Sequence, residues 1–210
     1  MGIEIPQNKF LILDGAMGTV LQQRGLSPQG RPELLNLTEP ELLNSVYKEY
    51  IAAGSQVIYA NTFGANGLKL AKTGHSVEEV VGAAIAVAKK AAAGTGTLVA
   101  LDVGPLGELL EPMGTLSFER AYDLFREMAE AGAKAGADLI VVETMTDLYE
   151  AKAALLVDAN TGRMVYGKNE HEELYPASLT KIMTALLTLE AVDSGQLSMD
   201  QPITVTESAL

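Results

Sequence analysis

The sequence predicts an α/β protein built from repeated strand–helix units around a parallel sheet. Two observations predict it. Apolar runs at 10–13, 56–60, 97–101 and 138–142 are rich in Val, Ile or Leu without strict alternation, as strands buried on both faces are. Each run is followed by a longer stretch with helical spacing and ends on a polar residue just past its last apolar position.

Run 10–13 ends at Asp14-Gly15. The first clear helix lies over 41–53, where Leu42, Val46, Tyr50 and Ala53 fall on one side. Run 56–60 ends at Asn61-Thr62, and 77–93, rich in Ala and Val, forms the next helix. Run 97–101 ends at Asp102-Val103-Gly104 and leads to 118–135, where Ala121, Leu124, Phe125 and Met128 share a face. Run 138–142 ends at Glu143-Thr144, before a last helix over 146–156. Alternating strands and helices imply right-handed crossovers between parallel strands. In a βα barrel the residues just past the strands converge on the C-terminal rim, where active sites form. Any one of them could instead cap the following helix. Four in register, two of them with Gly close by, point to a site.

After residue 156 the pattern changes. Residues 157–166 read as a hairpin around Asn160-Thr161-Gly162. Ile182, Leu186 and Leu189 share one side of a helix over 179–192, with Gly195 as its stop, and 203–206 reads as a short strand. The chain therefore divides into 1–156 and 157–210. No linker rich in Gly, Ser or Pro separates the parts, which is unusual for independent domains.

Composition narrows the function. The 210 residues carry a net charge of −12, which opposes a nucleic-acid surface or a polybasic membrane anchor. No apolar run approaches the roughly 20 residues a membrane helix needs. Residues 1–9 lack a signal peptide's basic and apolar segments, so a cytoplasmic protein is expected. Cysteine is absent, which excludes disulfides, thiolate metal sites and cysteine nucleophiles. His75 and His171 read as surface residues.

Asp14-Gly15-Ala16-Met17-Gly18-Thr19, Ala60-Asn61-Thr62-Phe63-Gly64-Ala65-Asn66, Gly104-Pro105-Leu106-Gly107 and Glu143-Thr144-Met145-Thr146-Asp147 occur in this order. Together they resemble the homocysteine S-methyltransferase family, in particular the homocysteine-binding modules of cobalamin-dependent methionine synthases. The resemblance implies an eight-unit βα (TIM-type) barrel, of which 1–156 would supply about four units. It implies that Asp14 and Gly15 line a homocysteine pocket, that Glu143 holds the ammonium group, and that Asn61 shapes the rim nearby. The family's zinc is held by cysteine thiolates on later strands and lowers the thiol pKa of homocysteine, which then attacks a methyl donor such as methylcobalamin. With no thiolate in the chain, no metal or cofactor is expected here. Homocysteine is the expected small-molecule partner. A half barrel also leaves strand edges open to self-association.

Asp158-Ala159-Asn160-Thr161-Gly162, then Pro176-Ala177-Ser178-Leu179-Thr180-Lys181, resemble the serine D-alanyl-D-alanine carboxypeptidases of the low-molecular-weight penicillin-binding group. Residues 153–210 would then be a small α/β fragment of the transpeptidase-like fold, with Ser178 as the acylated nucleophile and Lys181 as its base, and the chain a fusion of parts of two unrelated enzymes near residue 156, expected to be inactive because neither active site is complete. Ser45 and Lys48 show the same spacing in the middle of an ordinary helix, whereas Ser178 follows a Pro and opens one. The family's Ser-x-Asn and Lys-Thr-Gly elements do not follow Ser178 within these residues. Losing a single oxyanion donor costs on the order of 3 kcal/mol in acyl transfer, and here the whole facing strand is missing. Fluorescent penicillin should therefore leave Ser178 unlabelled over hours, with no difference between the parent and Ser178→Ala. Stoichiometric labelling lost in Ser178→Ala would contradict this.

Overall fold

A strand forms only where a neighbour completes its backbone hydrogen bonds, and this decides which apolar runs become strands. The structure, a computed structural model, describes residues 11–27 and 30–156. The readings made for 157–210, including His171, Ser178 and Lys181, lie outside those residues. β1 (Val57–Tyr59), β2 (Leu98–Val103) and β3 (Leu139–Val142) form a three-stranded sheet in the order β1-β2-β3. Both pairings are parallel, with Val57 opposite Leu98 and Ala100 opposite Leu139.

The first apolar run differs from expectation. Among the described residues it joins the sheet through a single parallel bridge, Leu13 to Val57. The cause is local. The Ile12 amide donates to the Gln56 side-chain oxygen at 3.1 Å, and not to a strand carbonyl. The Gln56 and Val57 amides both turn to the Ile12 carbonyl, at 2.7 and 3.3 Å. The order still holds: each successive segment lies beside the one before it, as in the wall of a βα barrel. The fold is thus a mixed α/β arrangement with a parallel sheet, consistent with part of a TIM-type barrel.

The helices follow the expected pattern with shifted ends. α1 (Met17–Gln23) comes first, and a short 3₁₀ turn (Pro32–Leu34) leads into α2 (Leu35–Thr38). α3 (Pro40–Ala52) opens on a proline, whose missing amide hydrogen costs nothing in a first turn. After the one-turn α4 (Gly67–Leu70), α5 (Val77–Ala92) is capped by Ser76, whose hydroxyl accepts from the Glu79 amide at 3.1 Å. Glu78 and Glu79 in its first turn and Lys89 and Lys90 in its last suit the helix dipole. α6 (Phe118–Ala135) has the bounds the sequence predicts and stops at Gly136, whose φ of 88° suits glycine. α7 (Leu148–Leu156) starts two residues later than 146, because the Asp147 carboxylate accepts the Tyr149 amide at 2.8 Å and caps it there.

Packing assigns the two faces of the sheet. Ile58, Val99, Leu101 and Val103 belong to the core that α3, α5 and α6 also line, and Ile140 and Val142 pack against it. Gly132 of α6 lets that helix approach closely, since a methyl there would fall 2.7 Å from a Leu101 methyl. Strand side chains alternate, so Tyr59, Ala100, Asp102 and Val141 point to the opposite face, and Glu143 follows in the same phase. Among the described residues, no helix is long and apolar enough to cross a membrane.

Two glycines test this packing. A Cβ on Gly104 would lie 2.6 Å from the Phe63 ring and 2.7 Å from the Phe63 carbonyl oxygen, whereas one on Gly82 of α5 meets nothing within 4 Å. Gly104→Ala should cost about 1–3 kcal/mol by overpacking. Gly82→Ala should gain about 0.5–1 kcal/mol from helix propensity. Urea unfolding midpoints that move the same way in both variants would contradict these contacts.

Candidate functional site

Hydrogen bonds tie the C-terminal ends of the strands to one another. Asp14 accepts the Tyr59 amide on Oδ2 at 2.9 Å. The Thr62 hydroxyl accepts the Asp102 amide at 3.0 Å and donates to the Asp102 carbonyl at 2.8 Å. The Glu143 amide donates to the Val103 carbonyl at 3.1 Å. Asp14 after the first run, Asp102 near the end of β2 and Glu143 after β3 thereby place acidic side chains at one end of the sheet.

Their electrostatics are uncompensated. Among the described residues, no ion pair involves Asp14, Asp102 or Glu143. Burial pushes Asp14 up from 3.8 to about 7; the Tyr59 amide opposes the rise and the charge of Glu143 adds to it. Burial pushes Asp102 up to about 8, reinforced by Glu143, Asp14 and Glu33. Tyr59 rises to about 12 through burial and the same three strand-end carboxylates. An acidic, partly dry rim of this kind favours a cationic group.

The sequence-predicted residues divide into two kinds. Asp14 and Glu143 are half-buried members of the acidic group. Gly15 sits beside Asp14, close enough to Tyr50 that a Cβ would lie 3.0 Å from its ring. Asn61 is buried and its amide group is spent internally: Nδ2 donates to the Pro32 carbonyl at 2.6 Å and to Asn36 Oδ1 at 3.2 Å. The Asn36 amide returns a bond to the Asn61 carbonyl at 2.8 Å, and the Asn61 amide rests on the buried Tyr47 hydroxyl at 2.8 Å. Asn61 therefore braces the loop after β1.

The Gly104–Gly107 loop is held in a similar way. Lys69 Nζ donates to the Pro105 carbonyl at 2.8 Å, and Glu150 accepts the Leu106 amide at 2.7 Å. Ser45 has a structural role, donating to the Leu42 carbonyl at 2.7 Å and accepting from Arg24 at 2.8 Å. His75 is exposed and paired with Glu79 at 3.0 Å. Two features of the site were not assigned a role from sequence. Asp102 shares the strand-end register, which was its signal. Thr144, next to Glu143, has a φ of 60°, a strained value for a β-branched residue.

Known proteins resemble this chain in sequence and fold. Residues 11–204 match the family model described as Homocysteine S-methyltransferase. The chain is 31% identical over 169 residues to the methionine synthase of Mycobacterium tuberculosis, covering 73% of this chain and 14% of that protein. It is 48% identical over 61 residues to the D-alanyl-D-alanine carboxypeptidase DacF of Bacillus subtilis, covering 29% of this chain and 16% of that protein. The oxidized form of the homocysteine methyltransferase MmuM from Escherichia coli superposes with a TM-score of 0.66 at 29% identity, covering 75% of this chain and 60% of that one. The chain thus spans a small part of the two curated relatives and somewhat over half of the solved one.

The raised carboxyls make stability depend on pH. Asp14 and Asp102 bind protons more tightly folded than unfolded, so between the ordinary value of 3.8 and about 8 the folded chain holds more protons. Their contribution is complete at low pH and is lost as pH rises through that window. The urea midpoint should fall from pH 5 to pH 8.5, and fall less in Asp102→Asn. An equal fall in both proteins would contradict the assignment.

Proposed function

The chain belongs to the homocysteine S-methyltransferase family, and we propose that its strand-end rim binds the amino-acid portion of homocysteine. The observation that carries this reading is that Asp14, Asp102 and Glu143, which have no ion-pair partner among the described residues, share one end of the parallel sheet. Glu143 holds the ammonium group, with Asp14 beside it. Gly15 lines the pocket next to Asp14, where its missing Cβ lets the Tyr50 ring lie close, and Asn61 keeps the neighbouring loop in place.

Zinc does not fit the residues present. The chain has no cysteine, and the described residues include no group of three or more His, Asp or Glu placed to hold a metal ion. Carboxylates and backbone groups orient an amino acid, but they do not ionise its thiol. The chemistry proposed for this chain is therefore recognition of homocysteine. In this reading, methyl transfer to the sulfur requires the thiolate-bearing strands of a complete barrel.

A second reading has its own support, the 48% identity to DacF over 61 residues. It treats the chain as a fusion divided at residue 156, with Ser178 as nucleophile and Lys181 as base in the second part. The homocysteine S-methyltransferase match runs on to residue 204, across that boundary, so the first reading takes precedence. Self-association is part of the proposal too, through strand edges that a partial barrel leaves open.

Isothermal titration of the full chain tests the homocysteine reading. L-homocysteine should bind, and Glu143→Gln should weaken it about tenfold or more, since a hydrogen bond to a charged group is worth roughly 1.5–3 kcal/mol. Absence of binding by the parent, or equal binding by the variant, would overturn the reading.

A further inference from the structure

Asp102 is the least satisfied polar residue of the site. It is 8% exposed, and its Oδ1 is buried with no hydrogen-bond partner among the described residues. Buried carboxyl oxygens are rarely left unpaired, and a site that awaits a ligand is one place where they are. The residue is held in place, because the Thr62 hydroxyl grips both its amide and its carbonyl. It lies on the central strand and points to the face opposite the helices.

The groups whose charge acts on Asp102 are Asp14 before α1, Glu33 in the 3₁₀ turn and Glu143 after β3. Tyr47 of α3 and Tyr59 of β1 feel its charge in turn. None of these groups is basic. Lys69, the half-buried amine in this region, is turned to the Pro105 carbonyl and lies 5.5 Å above the Phe63 ring. Among the described residues none supplies a cation to Asp102, and a cationic ligand would satisfy it.

We propose that Asp102 is a specificity-determining residue of this site, whose free oxygen accepts a hydrogen bond from the ammonium group of an α-amino acid. The inference rests on the homocysteine reading above and deepens it. The free carboxyl, pushed up to about 8, holds its proton at neutral pH. The ligand enters as an ammonium ion and keeps all its protons. Asp102 enters as a carboxylic acid and becomes a carboxylate; its O–H bond breaks, and the proton passes to the buffer. An analogue without the amino group leaves the buried oxygen unpaired and is rejected.

Calorimetry at pH 7 in phosphate and in Tris, two buffers of different ionisation enthalpy, reads the proton directly. The probes are L-homocysteine and 4-mercaptobutanoate, its counterpart without the amino group. The parent should release protons with homocysteine and none with 4-mercaptobutanoate. Asp102→Asn should lower the proton count and narrow the preference between the two ligands by about tenfold or more, as expected when a buried polar group loses its partner. The proton count on the parent requires no variant to fold. Homocysteine binding with the same heat in both buffers would overturn the proposal. So would an unchanged count and preference in Asp102→Asn; if Glu143→Gln still weakens binding, the homocysteine reading survives that result. A parent that binds no homocysteine overturns both.

Discussion

When helices cover one face of a parallel strand, every second side chain is sent to the other face, and the residue that ends the strand is sent to the rim. The site depends on this constraint. Val99, Leu101 and Val103 are drawn into the helical core, so Asp102 has to lie on the opposite face. The same phase carries Tyr59 on β1, and Val141 then Glu143 on and after β3. Acidic groups are crowded together because the apolar residues beside them are needed elsewhere. The rim is a consequence of the core.

This crowding has a cost. A buried carboxyl resists ionisation, and each neighbour of like charge adds to the resistance. Asp14 and Asp102 accordingly hold their protons toward neutral pH. Thr144 adds backbone strain beside Glu143. The surrounding packing offsets these terms. The Asn36–Asn61 pair, the Tyr47 hydroxyl and the Thr62 bridge satisfy the backbone around the rim. Close contacts at Gly104 and Gly132 bring loop and helix against the sheet. A rigid frame around under-satisfied groups is the arrangement expected where a ligand completes the bonding.

Much of this was legible in the sequence. The helix over 118–135 is legible with its final bounds from the face that Ala121, Leu124, Phe125 and Met128 share, and the structure adds the Ser117 cap and the stop at Gly136. The strand-end residues were legible as a register, since position after an apolar run needs no knowledge of distant partners. What escaped depended on such partners. Among the described residues the first run makes a single bridge because the Gln56 side chain takes the Ile12 amide, and no local pattern announces that. Asn61 read as a rim residue, yet its amide is committed to Pro32 and Asn36, more than twenty residues earlier. Asp102 was seen as one strand end among four. Its missing partner is visible only when every neighbouring donor has been placed.

Desolvated carboxyls with no counter-charge among the described residues share one end of the parallel sheet. The most direct measurement is a carbon-13 NMR pH titration of aspartate side-chain carboxyls, with Asp14 and Asp102 assigned by their Asn variants. The account predicts that these two titrate near 7 and 8, well above exposed aspartates at about 3.9. Ordinary titration of both near 4 would show that the rim is solvated, and would contradict the account.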